Sequence, residues 1–209
     1  MKHHNINTLW VINLNLTTVL KKSTTILVAL KTPKNIYIGA DSAYSESSRR
    51  VLASKNESKL LQIKNGAFGF SGDVSIKNAF EMFVETKTVY NSPLNTKQDV
   101  MKFLKKFNAF FANREYEILN LSDEQRTVGM LLVTNNKKIF EIGEDGCVIE
   151  FDDFTCVGSG STLALGVLDW FHNNKTKHTL TPEEQVSAAI EQAIKYRETC
   201  GGRIDIIKL

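Results

Sequence analysis

Short β-branched and apolar runs recur along this chain in turn-linked pairs, and two pairs of stretches with helical periodicity interrupt them. Thr24 to Lys31 and Ile36 to Ala40 flank the turn Thr32-Pro33-Lys34-Asn35; Lys59 to Ile63 and Ala67 to Ser71 flank Lys64-Asn65-Gly66 and close on Gly72-Asp73. Both read as hairpins with buried strands. Phe80, Phe83 and Val84 then carry an amphipathic stretch, and Val100, Phe103, Leu104, Phe107 and Phe111 recur at three and four residues on another that begins near Thr96,. Strands return at Val128 to Thr134, Lys138 to Ile142, Cys147 to Phe151 and Phe154 to Val157. A helix over Thr162 to Phe171 follows, and a second is announced by Thr181-Pro182-Glu183-Glu184, where Thr181 can cap, Pro182 suits the first turn and Glu184 can close a capping box,. Val186, Ala189, Ile190, Ala193 and Ile194 keep its apolar face, and Arg203 to Leu209 ends the chain as a strand,. This order implies an α+β fold, with two sheets stacked face to face and helix layers outside.

Length allows this as one domain: 209 residues bury a substantial core,. The 26 basic and 23 acidic residues are scattered, leaving a formal charge of +3 and no basic stripe to hold nucleic acid,. Cys147, Cys156 and Cys200 are odd in number and lack CxxC spacing, and His3, His4, His172 and His178 have no metal-ligand spacing,. No cofactor or metal is expected, and the thiols fit a reducing cytoplasm.

The first 23 residues stand apart. Lys2 and the apolar stretch Leu9 to Leu20 imitate a signal peptide, but Asn13 and Asn15 interrupt it and no small-x-small cleavage site follows,. No run approaches the ~18 apolar residues of a membrane span. The segment reads as a removable leader or as an extra strand, since Trp10, Ile12, Leu14 and Leu16 alternate with other residues,.

Four separate pieces contain chemistry: Ser23-Thr24-Thr25, Gly39-Ala40-Asp41, Ala53 through Lys59, and Gly158-Ser159-Gly160-Ser161. A hydroxyl nucleophile needs a base, a group that sets that base's environment, and donors for a developing oxyanion, and these pieces hold candidates for each. Each also has an ordinary structural explanation. Threonines favour strands, Asp41 suits a turn, Lys59 suits a strand edge, Gly72 suits a turn and Ser159 suits a helix N-cap.

Taken together, the motifs resemble the proteasome-type N-terminal-nucleophile hydrolases, which include proteasome β subunits and the peptidase of the bacterial two-component ATP-dependent protease. The matching text is Thr24-Thr25-Ile26-Leu27-Val28, Ile38-Gly39-Ala40-Asp41, Ala53-Ser54-Lys55-Asn56 through Lys59-Leu60, Phe70-Ser71-Gly72-Asp73, and Val157-Gly158-Ser159-Gly160-Ser161 followed by Ala164 to Asp169. The resemblance implies a four-layer αββα sandwich over residues 24–209 behind a leader of residues 1–23. It also implies a threonine peptidase that cleaves unfolded polypeptides inside a homo-oligomeric ring, served by an ATP-dependent unfoldase, with neither nucleic acid nor membrane as partner.

By this resemblance Thr24 is the nucleophile, freed by leader removal so that its own α-amino group, with an ordinary pKa near 8, acts as base. Asp41 holds Lys59, whose charge lowers the pKa of neighbouring groups; Gly72 offers its N–H to the oxyanion, and Ser159 bonds near the terminal amine. Ser23 and Thr25 are alternative nucleophiles and Lys55 the alternative lysine. Two departures stand out: Ser23 occupies the place where family leaders carry glycine, and Arg197-Glu198-Thr199-Cys200-Gly201-Gly202 replaces the family's aspartate and serine ahead of Ser-Gly-Gly. An inactive structural subunit that keeps its leader, and a non-peptide amidohydrolase on the same fold, are the competing readings.

Overall fold

The computed structural model describes residues 21–23, 25–46, 49–86, 92–111, 128–143 and 145–209. The alternating segment Trp10 to Leu16 and residue Thr24 lie outside them. The described residues form twelve strands and four helices. In chain order these are β1 (Lys21–Ser23), β2 (Leu27–Lys31), β3 (Ile36–Asp41), β4 (Ala43–Glu46), β5 (Arg49–Leu52), β6 (Leu60–Ile63) and β7 (Gly66–Asp73). They continue with α1 (Val74–Val84), α2 (Lys97–Phe111), β8 (Val128–Thr134), β9 (Ile139–Ile142), β10 (Val148–Phe151), β11 (Phe154–Val157), α3 (Ser161–Asn173), α4 (Pro182–Tyr196) and β12 (Ile204–Lys208).

The strands build two antiparallel sheets. The smaller runs β11-β2-β3-β12, and the larger runs β10-β9-β8-β7-β1-β4-β5. One edge of β7 is shared, with β6 along Gly66 to Gly69 and β1 at Gly72 and Asp73. Three apolar clusters show the layering. Leu27, Ala29, Ile38, Ala67, Leu131 and Val133 pack between the sheets. Ile26, Val28, Leu168, Val186 and Ile190 join the small sheet to α3 and α4, and Phe68, Phe80, Phe103 and Leu132 join the large sheet to α1 and α2. The protein is therefore the expected αββα sandwich. Apart from Lys31 and Asp41 at their ends, β2 and β3 carry no charged residue, because both their faces are covered,.

Local chemistry sets the helix starts. Asp73 ends β7 and caps α1, its Oδ1 accepting from the Ser75 N–H at 2.8 Å,. Thr96 and Asp99 exchange hydrogen bonds across the start of α2, and Thr181 and Glu184 form a capping box on α4,. Aromatic packing fills the outer core: the Phe80 ring lies 4.8 Å from Phe68 and 5.0 Å from Phe107, in edge and tilted arrangements,. The aromatic side of α2 is largely spent inside the chain. Phe103 and Phe107 are buried, and Phe110 and Phe111 pack against the same cluster. No described helix is long and apolar enough to cross a membrane.

Candidate active site

Asp41 closes β3, a strand whose six residues are all buried, so its carboxylate is carried inward. A buried carboxylate is costly unless its oxygens are satisfied. Here Oδ1 accepts from the Lys59 ammonium at 2.8 Å and from the Ile26 N–H at 3.1 Å, while Oδ2 accepts from the Gly201 N–H at 2.8 Å. Lys59 is equally enclosed, at 1% exposure. Burial pushes its amine below the ordinary lysine range, and the charge and hydrogen bond of Asp41 oppose that shift,. Its Nζ lies 5.3 Å from the centre of the Tyr44 ring,. The Tyr44 phenol is pushed up to about 12, first by burial and then by Glu57, Glu81 and Asp41.

The loop before β12 completes the surroundings. Arg50 Nη1 donates to the Cys200 carbonyl at 3.0 Å, which anchors the loop that presents the Gly201 N–H to Asp41. Ser159 Oγ lies 2.9 Å from Thr199 Oγ1, 3.7 Å from Cys200 Sγ and 3.5 Å from the Thr25 carbonyl. Gly160, not Ser159, is the N-cap of α3, so helix capping does not account for that serine. Burial raises the Cys200 thiol, with Asp41 adding to the effect.

Backbone geometry brings the chain around position 24 to the same place. Ser23 in β1 sits opposite Gly72, and Lys22 opposite Asp73 on one side and Ser45 on the other. On the C-terminal side, the Thr25 carbonyl accepts from the Gly160 N–H at 3.4 Å. Gly72 has φ of 126° and Gly158 has φ of 103°, both in the left-handed half of the map that side chains rarely adopt,. A Cβ on Gly158 would also run into the Thr25 carbonyl oxygen.

Asp41, Lys59, Gly72 and Ser159 therefore converge on the segments that flank position 24. Lys55 and Glu198 are both exposed. Sequence reasoning missed Tyr44, Thr199 and the Gly201 N–H. The last was legible only as a turn glycine, because a backbone donor leaves no signature in residue type. Strands β4 and β5 were missed too, being short and rich in Ser and Arg.

The family model described as "Proteasome subunit" matches residues 20–208. Among solved structures, Thiobacillus denitrificans BPH in complex with epoxomicin superposes with a TM-score of 0.76 at 16% identity, covering 88% of this chain and 98% of that one. A second structure of Thiobacillus denitrificans BPH gives 0.75 at 16% identity, with 88% and 97% covered. Eukaryotic HslV from Trypanosoma brucei gives 0.63 at 16% identity, with 88% and 98% covered. No curated protein matches. A family model that spans nearly the whole chain, and an αββα sandwich shared with these structures, lead to one assignment: the chain belongs to the proteasome subunit family of N-terminal-nucleophile hydrolases.

Proposed function

We propose that the protein is a threonine peptidase whose nucleophile is Thr24, exposed as the first residue when residues 1–23 are removed. The observation that carries this reading is the fully buried Asp41–Lys59 pair, with Gly72 and Ser159 beside it, gathered at the junction of β1 and β2. Burying an ion pair costs desolvation that apolar residues would avoid, so stability alone is a weak reason to keep one there.

In the proposed reaction the Thr24 hydroxyl oxygen bonds to the substrate carbonyl carbon as the α-amino nitrogen accepts its proton. The Lys59 charge favours deprotonated neighbours, and the Gly72 N–H donates to the oxyanion. The carbon–nitrogen bond then breaks, the departing amine takes the proton, and water hydrolyses the resulting ester. The substrate is an extended, unfolded chain. Strand β1 fills a slot between β4 and β7, and its removal opens strand edges on which a peptide can add by backbone hydrogen bonds,. A ring of like subunits enclosing this slot, and a partner that unfolds substrates with ATP, complete the proposal.

A second reading is favoured by two observations: Ser23 stands where a glycine is expected, and β1 is paired on both sides in the slot. In it the leader stays and the subunit is structural. While Ser23 is bonded to Thr24, the nitrogen is an amide without basicity, so the full chain should be inactive. The test is a full chain folded with a specific protease site ahead of Thr24, assayed before and after cutting. Cutting should switch on hydrolysis of unfolded peptides and allow one modification, at Thr24, by an electrophile that captures threonine hydroxyls. Thr24→Ala should abolish both while retaining the fold. Equal reactivity before and after cutting would overturn the terminal-amine mechanism, and none in either form would leave the structural reading standing.

A further inference from the structure

Next to Gly72 lies a recess with a volume of about 10 Å³, walled by Tyr44, Lys59, Asp73 and Lys77 on its polar side and by Phe70 and Val74 on its apolar side. That is about the space one water molecule needs. It remains with Ser23, itself a small residue, in register with Gly72. Ser23 precedes Thr24, so a substrate residue ahead of the cleaved bond would occupy its register position.

The walls of this recess are held in place. Lys77 is buried at 5% exposure, its ammonium 2.6 Å from Glu81 Oε1 and 3.8 Å from Glu57 Oε2. Tyr44 lies against the Lys59 ammonium, which Asp41 fixes in turn. A close-packed wall gives way only at the cost of strained rotamers or a broken ion pair. Two polar atoms belong to residues of this otherwise mixed wall. Tyr44 Oη and Asp73 Oδ2 are buried and make no hydrogen bond among the described residues. Both are already shielded from solvent, so a bulky apolar group packed against them returns no partner, whereas a small hydroxyl that reaches either one supplies a hydrogen bond.

We infer that this site selects Ala- or Ser-sized side chains at the substrate residue before the cleaved bond, with Tyr44 and Lys77 as the residues that exclude larger ones. The inference rests on the threonine peptidase reading and deepens it.

The test uses the full chain folded and then cut ahead of Thr24. Peptide amides of a fluorescent amine, differing only in the last acyl residue, are compared as Ala, Ser, Leu and Phe, alongside peptide electrophiles bearing Ala or Leu there. The expected result is kcat/KM at least about tenfold higher for Ala and Ser than for Leu and Phe, with capture rates in the same order. Tyr44→Ala and Lys77→Ala should each raise the ratio of Leu to Ala turnover. Because the readout is a ratio within one protein, a general loss of rate from disturbing Lys59 does not mimic it. Lys77→Met, which keeps the bulk and loses the charge, should retain the preference for small residues. Equal or greater turnover of Leu and Phe by the unmodified protein, with electrophile capture intact, overturns the inference and leaves the peptidase reading standing. An unchanged ratio in both alanine variants overturns the roles of Tyr44 and Lys77. Neither hydrolysis nor capture of any probe overturns the peptidase reading and this inference together.

Discussion

Asp41 illustrates how much one side chain does at this site. Its two oxygens accept from three separate parts of the chain: Ile26 ahead of β2, Lys59 ahead of β6 and Gly201 ahead of β12. Asp41→Ala should therefore remove three hydrogen bonds and leave the Lys59 ammonium buried without its counter-ion, at a cost of about 3–5 kcal/mol. Denaturant unfolding should show this as a lower midpoint with little change in slope, and peptide hydrolysis should vanish with it. A loss below about 1 kcal/mol, the range of exposed pairs, would mean the pair is far more solvated than its burial indicates. At this scale the residue types were legible in sequence: Asp41 and Lys59 were named as a pair, and the structure joins them at 2.8 Å. Lys59 is buried at the entry to β6, whereas Lys55 is exposed.

Elements meet at the site through their ends. β3 delivers Asp41, β7 delivers Gly72 and Asp73, and the turn ahead of α3 delivers Gly158 and Ser159. That turn is close-fitting. Gly158 has a positive φ, and a Cβ there would displace the Thr25 carbonyl, which the Gly160 N–H holds. Gly158→Ala should cost more than about 1 kcal/mol and lower turnover together, as the residue next to position 24 shifts. Thermal unfolding and peptide hydrolysis read the two effects, and an unchanged melting temperature would show that the turn can relax. Hairpin partners and helix caps followed from turn chemistry and periodicity, which act over a few residues. β4 and β5 did not, because their strand character comes from pairing with each other and with β1, not from an apolar pattern of their own.

As a whole molecule the chain buries its aromatic residues between α1, α2 and the large sheet, while Met82 and Met101 stay half-exposed at 50% and 54% on those outer helices. The proposed ring would use this outer layer. Light scattering at micromolar concentration should give a large homo-oligomer, and Met82→Lys with Met101→Lys should shift it toward monomer by burying charge in the contact. A monomer in the unmodified protein would count against the ring. The order of apolar runs and helical stretches, set by local periodicity and turn residues, determined the layered α+β architecture without further help. The identities of Asp41, Lys59, Gly72 and Ser159 pointed to one kind of site. Only the tertiary structure decided that Thr199 and the Gly201 N–H belong to the same neighbourhood, that Tyr44 and Lys77 close the recess beside Gly72, and that residues 21–23 run as a strand between β4 and β7. Those are contacts between residues up to 160 positions apart, or between backbone groups that every residue type shares, and neither leaves a mark in a local pattern,.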